Sequence, residues 1–347
     1  MTDLTVHYVT SEEAAGWLAS LTEQGGFPAL ESWNRFLQRV YRFPVYRLAV
    51  GGGEDMQGLL CLMHIRHPVF GNYLTTAPFA SWGGFAAAQP QAARVLLEEA
   101  QRLAARPGVE YVLVRHLNGG EAPPPGWVQM PHYATYRVDL PADPQALMSR
   151  FSSDHRNHIR KSLRKGFTVR FGRLDLLDDC YAALAHSMHE LGSPYHSKSY
   201  LRAMLETLGG QVECAVLYDE RGGLAGAGVF ILQGDTMHNL HANILRRYRP
   251  LYAGEFLYWS AVQRAIEKGL RVFDLGRSLI GSGNETFKLK WQPRKQPLAY
   301  WHCLRPGAAL PELNQKNPRF RLAIWTWKRL PFPLVRLIGP WLIRGLA

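Results

Sequence analysis

Short apolar runs and helical apolar patterns follow each other in the same order twice along the chain. In the first half, the runs VYRLAV and GLLCLMHIRH flank the turn GGGEDMQ and predict a strand pair. The run NYLTTAPF predicts a further strand. The helical pattern QPQAARVLLEEAQRLAARPG and the buried run VEYVLVRHL then predict a helix and a strand. This half therefore indicates one α/β unit.

The second half repeats this order. ECAVLY and LAGAGVFIL flank the turn DERGG, DTMHNLHANI follows, and GEFLYWSAVQRAIEKG and RVFDLGR predict a helix and a strand. Residues 100–115 and 262–277 both read as helix, glycine, apolar strand and arginine. Chance competes with this match because helix–glycine–strand is a common order, but the shared sequence of elements favours an internal repeat. We expect an α/β (α+β) fold with two mixed β-sheets flanked by helices.

Two further helices are predicted before the first strand pair. SEEAAGWLASLTEQGG, residues 11–26, begins with a capping serine, has apolar residues at helical spacing and ends in two glycines. ESWNRFLQRVY predicts the second helix.

A strongly basic helix is predicted over residues 152–165, between the two repeats. Residues 150–173 hold eight Lys or Arg against one Asp. Arg156, Arg160 and Arg164 are four residues apart and share a helix face with Lys161 beside them, and such like-charge pairs repel. The face is interpreted either as a solvated helix surface or as a binding site for a polyanion.

Composition and charge narrow the class of protein. The chain has 347 residues, is 47% hydrophobic and 20% charged, and carries a formal net charge of +12. This composition predicts globular domains and favours anionic partners such as nucleic acid, phosphorylated small molecules or an acidic membrane face. Four cysteines far apart predict reduced thiols, and the N-terminus has no signal-peptide pattern. We therefore expect a cytoplasmic protein without a spanning helix.

The C-terminal segment, residues 317–347, contains no acidic residue. Aromatics and cations together favour peripheral contact with an anionic face of the inner membrane. The alternative is a C-terminal element packed on the second domain with its aromatics in the core. The residues concerned are Trp325, Trp327, Phe332, Trp341, Arg319, Arg321, Lys328, Arg329, Arg336 and Arg344.

The stretch FDLGRSLIGSGNETFKLKW, residues 273–291, carries the candidate chemistry. An apolar strand ends with Asp274 and Arg277, and a loop with Gly281 and Gly283 follows. Strand ends in α/β sheets are where ligands bind, and a glycine-rich loop offers backbone N–H groups to an anion. Asp274 is predicted to cap or brace this loop. The alternative is a turn that is merely basic.

Residues 287–291 are predicted to be extended, so neighbouring side chains should face opposite ways. Phe287, Leu289 and Trp291 would pack inward, and Lys288 and Lys290 would share the cleft side.

Several enzyme classes lack their motif in this sequence. The histidines of HSMHELGSPYH do not form the H-E-x-x-H pattern of zincins, and we expect no metal site. There is also no G-x-S-x-G elbow, Walker A loop or dinucleotide fingerprint.

Four segments resemble FemAB-like transferases, a branch of the GNAT superfamily. FDLGRSLIGSGNETFKLKWQPRKQPLAYW resembles the closing motif of that family, and HRNHIRKSLRKGFTVR resembles its basic helix. ELGSPYHSKSY, which contains Tyr195, resembles the L-G-x-P loop of a subgroup. RFRLAIWTWKRLPFPLVRLIGPWLIRGLA resembles the tail of FemAB-related proteins of exosortase/PEP-CTERM exopolysaccharide systems. With the repeat, the resemblance covers most of residues 30–347.

The resemblance implies two tandem GNAT-like domains, over 1–145 and 146–316, followed by the tail 317–347. It implies an acyltransferase that moves an aminoacyl or acyl group to an amine of a cell-envelope or exopolysaccharide precursor. Lys288 and Arg277 would be catalytic, because a fixed cation stabilises the oxyanion of acyl transfer. Substrate would be bound by Asp274, Phe287, Lys290, Trp291, Tyr195, Gly281 and Gly283, and a polyanion by Arg156, Arg160, Lys161 and Arg164.

No cofactor is implied beyond the donor, which would be aminoacyl-tRNA or acyl-CoA. The partners would be a carrier-linked or nucleotide-linked anionic substrate, tRNA and an anionic membrane surface. One departure from acetyl-CoA-dependent GNAT domains is that RRYRPLYAGEF has only Gly254 where those domains have a second glycine to hold pyrophosphate. Two alternatives therefore stay open: a CoA-dependent acetyltransferase on a polysaccharide precursor, and a non-catalytic scaffold at the membrane face with a degenerate GNAT core.

Overall fold

The computed structural model of the protein describes residues 4–17, 19–117, 120–130, 132–308, 310 and 318–346. The chain forms two compact units. Unit 1 comprises Met1–Tyr133, Gln296–Glu312 and Arg344–Ala347, and unit 2 comprises Ala134–Lys295 and Leu313–Ile343. The domain bounds inferred from sequence, 1–145, 146–316 and 317–347, stay a prediction.

The strands in the described part of the chain are β1 (Val6–Tyr8), β2 (Val45–Val50), β3 (Gly58–His67), β4 (Gly71–Thr75), β5 (Phe85–Ala87), β6 (Tyr111–Leu117), β7 (Val128–Gln129), β8 (Tyr133–Asp139), β9 (Thr168–Gly172), β10 (Val212–Tyr218), β11 (Leu224–Gln233), β12 (Thr236–Ile244), β13 (Val272–Leu279) and β14 (Arg294–Leu304).

The helices are α1 (Ser11–Ala15), α2 (Ala19–Gln24), α3 (Glu31–Tyr41), α4 (Pro90–Ala104), α5 (Pro144–Arg150), α6 (Ser153–Leu163), α7 (Leu177–Leu191), α8 (Lys198–Leu208), α9 (Ala253–Glu267), α10 (Gly283–Leu289), α11 (Pro318–Trp327) and α12 (Phe332–Arg344).

In unit 1 the strand order is β1-β2-β3-β4-β6-β14, with β5 beside β3 and β7 beside β14. β2, β3 and β4 are antiparallel neighbours, whereas β4 and β6 are parallel because the chain crosses over through α4. The apolar face of α4, including Leu96 and Leu103, packs on Leu60 and Val112 of this sheet. These side chains form the core of the unit.

In unit 2 the strand order is β8-β13-β12-β11-β10-β9. β10, β11 and β12 are antiparallel, and β12 and β13 are parallel around the crossover helix α9. The core on the α9 side includes Phe151, Trp259, Phe273 and Trp291. Both units thus follow the predicted order, which confirms the predicted mixed α/β fold.

The single helix predicted over residues 11–26 is wrong. α1 ends at Ala15 with Gly16 as its C-cap, and α2 begins at Ala19. Glycine is a weak helix former, so ending α1 at Gly16 costs little free energy. Thr10, not Ser11, is the N-cap, and it forms a capping box with Glu13.

The C-terminal helices α11 and α12 have buried inner faces. Trp327 and Val335 are buried, and the Phe332 ring stacks on His186 of α7 with 3.8 Å between ring centroids. The Nε2–H of His189 donates to the Trp327 carbonyl over 3.1 Å. These two aromatics of the tail therefore pack on unit 2. Among the described helices, none combines the length and apolar character needed to cross a bilayer.

Candidate functional site

The loop after β13 leads into a helix rather than an extended run. The Ser282 side chain accepts a hydrogen bond from the backbone N–H of Glu285 and caps α10. The predicted alternation over residues 287–291 is therefore wrong. Leu289, expected to pack inward, is 46% exposed, and Lys290 lies at the C-cap of α10 rather than beside Lys288 on one strand face.

Lys288 is the buried cation of this site. Its Nζ donates to the carbonyl oxygens of Gly276 and Arg277 over 2.8 and 2.7 Å, and it lies 5.6 Å from the centroid of the Tyr136 ring. Burial lowers the pKa of Lys288 to about 7, with the positive charge of Arg277 acting in the same direction and Asp274 opposing it. Gly276 has a φ of +75°, which a side chain would strain. The strand end is thus shaped to present two carbonyls to one lysine.

Asp274 braces the strand end from within the fold, at Gly276 rather than in the glycine-rich loop. Its Oδ1 accepts from the Thr135 hydroxyl over 2.6 Å and from the Gly276 N–H over 2.8 Å, and its Oδ2 lies 3.4 Å from His238 Nδ1. Burial alone would raise the pKa of Asp274, but these hydrogen bonds outweigh it and lower the pKa to about 2. The carboxylate is therefore charged at neutral pH and is covered from solvent.

Glu285 ties α10 to β8 and to the glycine-rich loop. It accepts from the Tyr136 hydroxyl over 2.6 Å, pairs with Lys295 over 2.7 Å and accepts from the Gly281 N–H. The Lys295 and Tyr136 bonds lower the pKa of Glu285 to about 2. These three bonds hold α10, the helix that carries Lys288, in place.

Sequence reasoning missed Thr135, Tyr136, His238 and Glu285. The motif S-x-x-E at Ser282–Glu285 was the available signal for the helix start. The contact between Thr135 and Asp274 spans 139 positions, so no local pattern announces it.

The remaining predicted substrate-binding residues lie in different surroundings. Phe287 packs against Tyr258 with 5.3 Å between ring centroids, and Gly281 and Gly283 are exposed in the loop and at the start of α10. Trp291 is fully buried against His155 and therefore offers no surface to a substrate. Tyr195 is buried in a separate aromatic cluster with His196 and His241.

The basic helix α6 keeps most of its cations in solvent. Arg160, Lys161 and Arg164 are exposed, whereas Arg156 is half-buried and donates to the Phe151 carbonyl. Within the described ranges, none of the three arginines has an acidic partner within ion-pair distance. The anion-binding role of this face stays a prediction.

The beginning of α9 adjoins α6. Tyr252 precedes α9 with a φ of +60°, and its side chain makes no hydrogen bond that caps the helix. The His158 ring stacks on Tyr252 at 4.5 Å, and Lys161 Nζ lies 5.8 Å from the Tyr252 centroid. The helix dipole and the nearby cation together favour an anion here.

The part of the chain that the structure describes contains no group of three His, Cys, Asp or Glu side chains arranged for a metal ion.

Residues 150–289 match the family model of the acetyltransferase (GNAT) domain. The matched segment contains Asp274, Arg277 and Lys288 and the whole of α9 and α10. No curated protein matched the sequence.

Solved structures resemble the chain over most of its length. The FemX structure is 14% identical, with a TM-score of 0.64, over 92% of this chain and 100% of that one. A tandem GNAT protein from the clavulanic acid biosynthesis pathway is 14% identical, with a TM-score of 0.57, over 89% and 100%. The C-terminal domain of a protein named as a lysylphosphatidylglycerol synthetase from Agrobacterium fabrum is 14% identical, with a TM-score of 0.55, over 91% and 96%.

At this identity the likenesses concern the fold. They agree with the predicted tandem arrangement of GNAT-like units, and the GNAT domain with these neighbours supports an acyltransferase, as predicted.

Proposed function

We propose that the chain transfers an acyl or aminoacyl group to an amine of a cell-envelope or exopolysaccharide precursor. One observation carries this proposal: within the GNAT domain, buried Lys288 is held at the end of β13 by the carbonyls of Gly276 and Arg277. The exopolysaccharide assignment rests on the resemblance of the tail alone.

Attack of an amine on an ester or thioester forms a C–N bond and an oxyanion. Collapse of the oxyanion breaks the C–O or C–S bond, and the alcohol or thiol leaves with the proton that the amine loses. The protonated Lys288 amine has three N–H donors, and two of them bond the strand carbonyls. The third is left for the oxyanion, which a fixed donor in a buried site stabilises strongly. Arg277 is exposed at the same strand end and would bind a phosphate of the donor or acceptor.

The donor would lie with its phosphates at the beginning of α9. The uncapped first turn and Lys161 suit the phosphates of acyl-CoA or of the tRNA end. If the donor is aminoacyl-tRNA, the exposed Arg160 and Arg164 would contact further phosphates of the RNA backbone. Binding would then weaken steeply as the salt concentration rises.

The tail would bring the enzyme to an anionic membrane surface, where carrier-linked precursors lie. The segment 317–347 has cations and aromatics without a single acid.

A CoA-dependent acetyltransferase is the second candidate. The uncapped beginning of α9 favours it, since the site would accept a pyrophosphate without a second glycine. A non-catalytic scaffold would need no lysine held at the strand end.

The test incubates the purified chain with acyl-CoAs or aminoacyl-tRNAs and with amine-bearing envelope precursors, and measures the mass of the acceptor. Transfer from aminoacyl-tRNA supports the leading proposal, and transfer only from acetyl-CoA supports the second. Lys288→Met should lower transfer by about a hundredfold or more. Lys268→Met, at the opposite end of α9, is the matched control and should retain it. Absence of transfer from every donor would favour the scaffold.

A further inference from the structure

The helices α11 and α12 expose several large apolar side chains. These are Leu322 at 69%, Trp325 at 55%, Leu334 at 39%, Leu337 at 76% and Trp341 at 48%. Leu334, Leu337 and Trp341 are three and four residues apart and share one face of α12. A group of large exposed apolar side chains marks an interaction surface.

The inner faces of the same helices make the contacts that hold them in place. Trp327 and Val335 are buried, and Phe332 stacks on His186. Gly339 lies so close to the Tyr195 backbone that an added Cβ would be 3.1 Å from the Tyr195 carbonyl oxygen. The orientation of the helices is therefore set by packing, and their apolar stripe faces outward.

Charge identifies the class of surface that would cover this stripe. Residues 313–347 contain no Asp or Glu. The cations of this segment are Lys316, Arg319, Arg321, Lys328, Arg329, Arg336 and Arg344. The Arg329 guanidinium lies 3.7 Å from the centroid of the Trp325 ring, so a cation flanks the stripe. Apolar and aromatic groups beside cations fit the boundary of an anionic bilayer.

A small open cavity lies beside this stripe, between α7, α8 and α12. Its volume is about 190 Å³, below the roughly 300–1,000 Å³ of sites for drug-sized ligands, so it suits a headgroup rather than a nucleotide. The lining residues are Asp178, Tyr181, Ala182, His186, Lys198, Phe332 and Arg336.

The cavity carries one cation in excess. Lys198 Nζ lies 2.5 Å from Asp178 Oδ1, so these charges offset each other. Arg336 lies 5.5 Å from the centroid of Tyr181 and has no acidic partner within the described ranges. Its guanidinium is therefore available, and it suits a phosphate through paired N–H donors.

We propose that this cavity binds the phosphate headgroup of an anionic phospholipid through Arg336, while the stripe of Leu322, Trp325, Leu334, Leu337 and Trp341 lies on the bilayer. This inference rests on the membrane contact proposed above and adds a headgroup site to it.

Two other occupants fit less well. A second copy related by a two-fold axis would place this acid-free cationic segment against itself, and the like charges would repel. A nucleic acid would leave the apolar stripe without a partner.

The test is co-sedimentation of the full chain with vesicles of phosphatidylcholine alone or of phosphatidylcholine with phosphatidylglycerol. We expect binding to the mixed vesicles, and Leu337→Gln with Trp341→Gln should abolish it. Removing one surface cation costs roughly fivefold in membrane affinity. Lys328→Gln is the charge-matched control and should show only that loss, whereas Arg336→Gln should lose more than about tenfold because a headgroup contact is lost as well.

The outcomes separate the two proposals. If the unmodified chain does not bind the mixed vesicles, the proposal of a membrane contact is itself wrong. If it binds and Arg336→Gln matches Lys328→Gln, only the headgroup site is overturned. A titration with soluble short-chain phosphatidylglycerol gives a second readout: saturable binding should be lost in Arg336→Gln and kept in Lys328→Gln. Concentration-dependent dimers that Leu337→Gln disrupts would assign the stripe to a second copy and overturn the proposal.

Discussion

The two units place different cations at equivalent strand ends. In unit 1, Arg115 on β6 is buried, donates to the Ala77 carbonyl over 2.9 Å and lies 5.4 Å from the centroid of Tyr300. In unit 2, Arg277 on β13 is exposed, and Lys288 from the following helix bonds the strand carbonyls instead. The two units therefore share the order helix, glycine, strand and arginine, but the surroundings of the arginine differ between them.

The choice of cation matters for chemistry. Residues 1–133, 296–312 and 344–347 contain no lysine, so every Lys of the chain lies in the segments of unit 2. Arginine stays protonated wherever it is buried, whereas burial shifts the pKa of a lysine readily. A lysine whose pKa is lowered to about 7 by burial, as for Lys288, is therefore possible only in unit 2.

The largest expected effect is on turnover. Lys288→Met removes the cation at the proposed reacting centre, and losing one such donor raises the barrier by roughly 2.7–4 kcal/mol. Turnover should fall by about a hundredfold or more. Circular dichroism checks that the fold survives. Wild-type turnover in a folded Lys288→Met variant would remove the functional difference between the two strand ends.

The pH profile distinguishes two roles for Lys288. The pKa of about 7 means that its charged form is present below this pH and is lost as the pH rises through it. If the cation stabilises the oxyanion, kcat should fall by about tenfold per pH unit above 7. Lys288→Arg, which stays charged, should flatten the profile. A kcat that instead rises through pH 7 would assign Lys288 as the general base that takes the proton of the acceptor amine.

A smaller effect is expected in unit 1, and on stability only. Arg115→Met would remove its hydrogen bond to the Ala77 carbonyl, which keeps the Ala80 N–H as a donor, and losing a bond from a charged donor costs about 1.5–3 kcal/mol. Urea denaturation should show that loss, while kcat per folded molecule stays at the wild-type value. A loss of kcat comparable with that of Lys288→Met would show that both strand ends serve catalysis.

The smallest expected effect is on stability, through the hydrogen bond between Thr135 and Asp274. Thr135→Val keeps the shape of the side chain and removes its hydrogen bond to Asp274. We expect a loss of about 0.5–1.5 kcal/mol in the free energy of unfolding. Thr286→Val, at an exposed position of α10, is the control and should change stability less. An unchanged stability in Thr135→Val would mean that the other bonds of Asp274 are enough to hold the strand end.

The sequence predicted the scaffold better than the site, for a physical reason. β2 and β3 match their predicted apolar runs because burial of a strand leaves a continuous local pattern. The segment with Lys288 was misread because alternating cations and aromatics imitate a strand, although Ser282 and Glu285 form a helix-start pattern. The bond between Thr135 and Asp274 depends on the tertiary fold and leaves no trace in local sequence.

The position of β14 has a consequence for protein synthesis. This strand pairs with β6 in antiparallel register from Leu298 opposite Leu117 to Leu304 opposite Tyr111, although the two strands are far apart in sequence. During synthesis, residues 1–133 therefore leave the ribosome long before β14 does. Until β14 is made, the edge of β6 has unpaired backbone groups that can pair with a wrong strand. Nascent unit 1 should stay sensitive to protease until residues 298–304 have left the exit tunnel, and it should then close as the late step of folding.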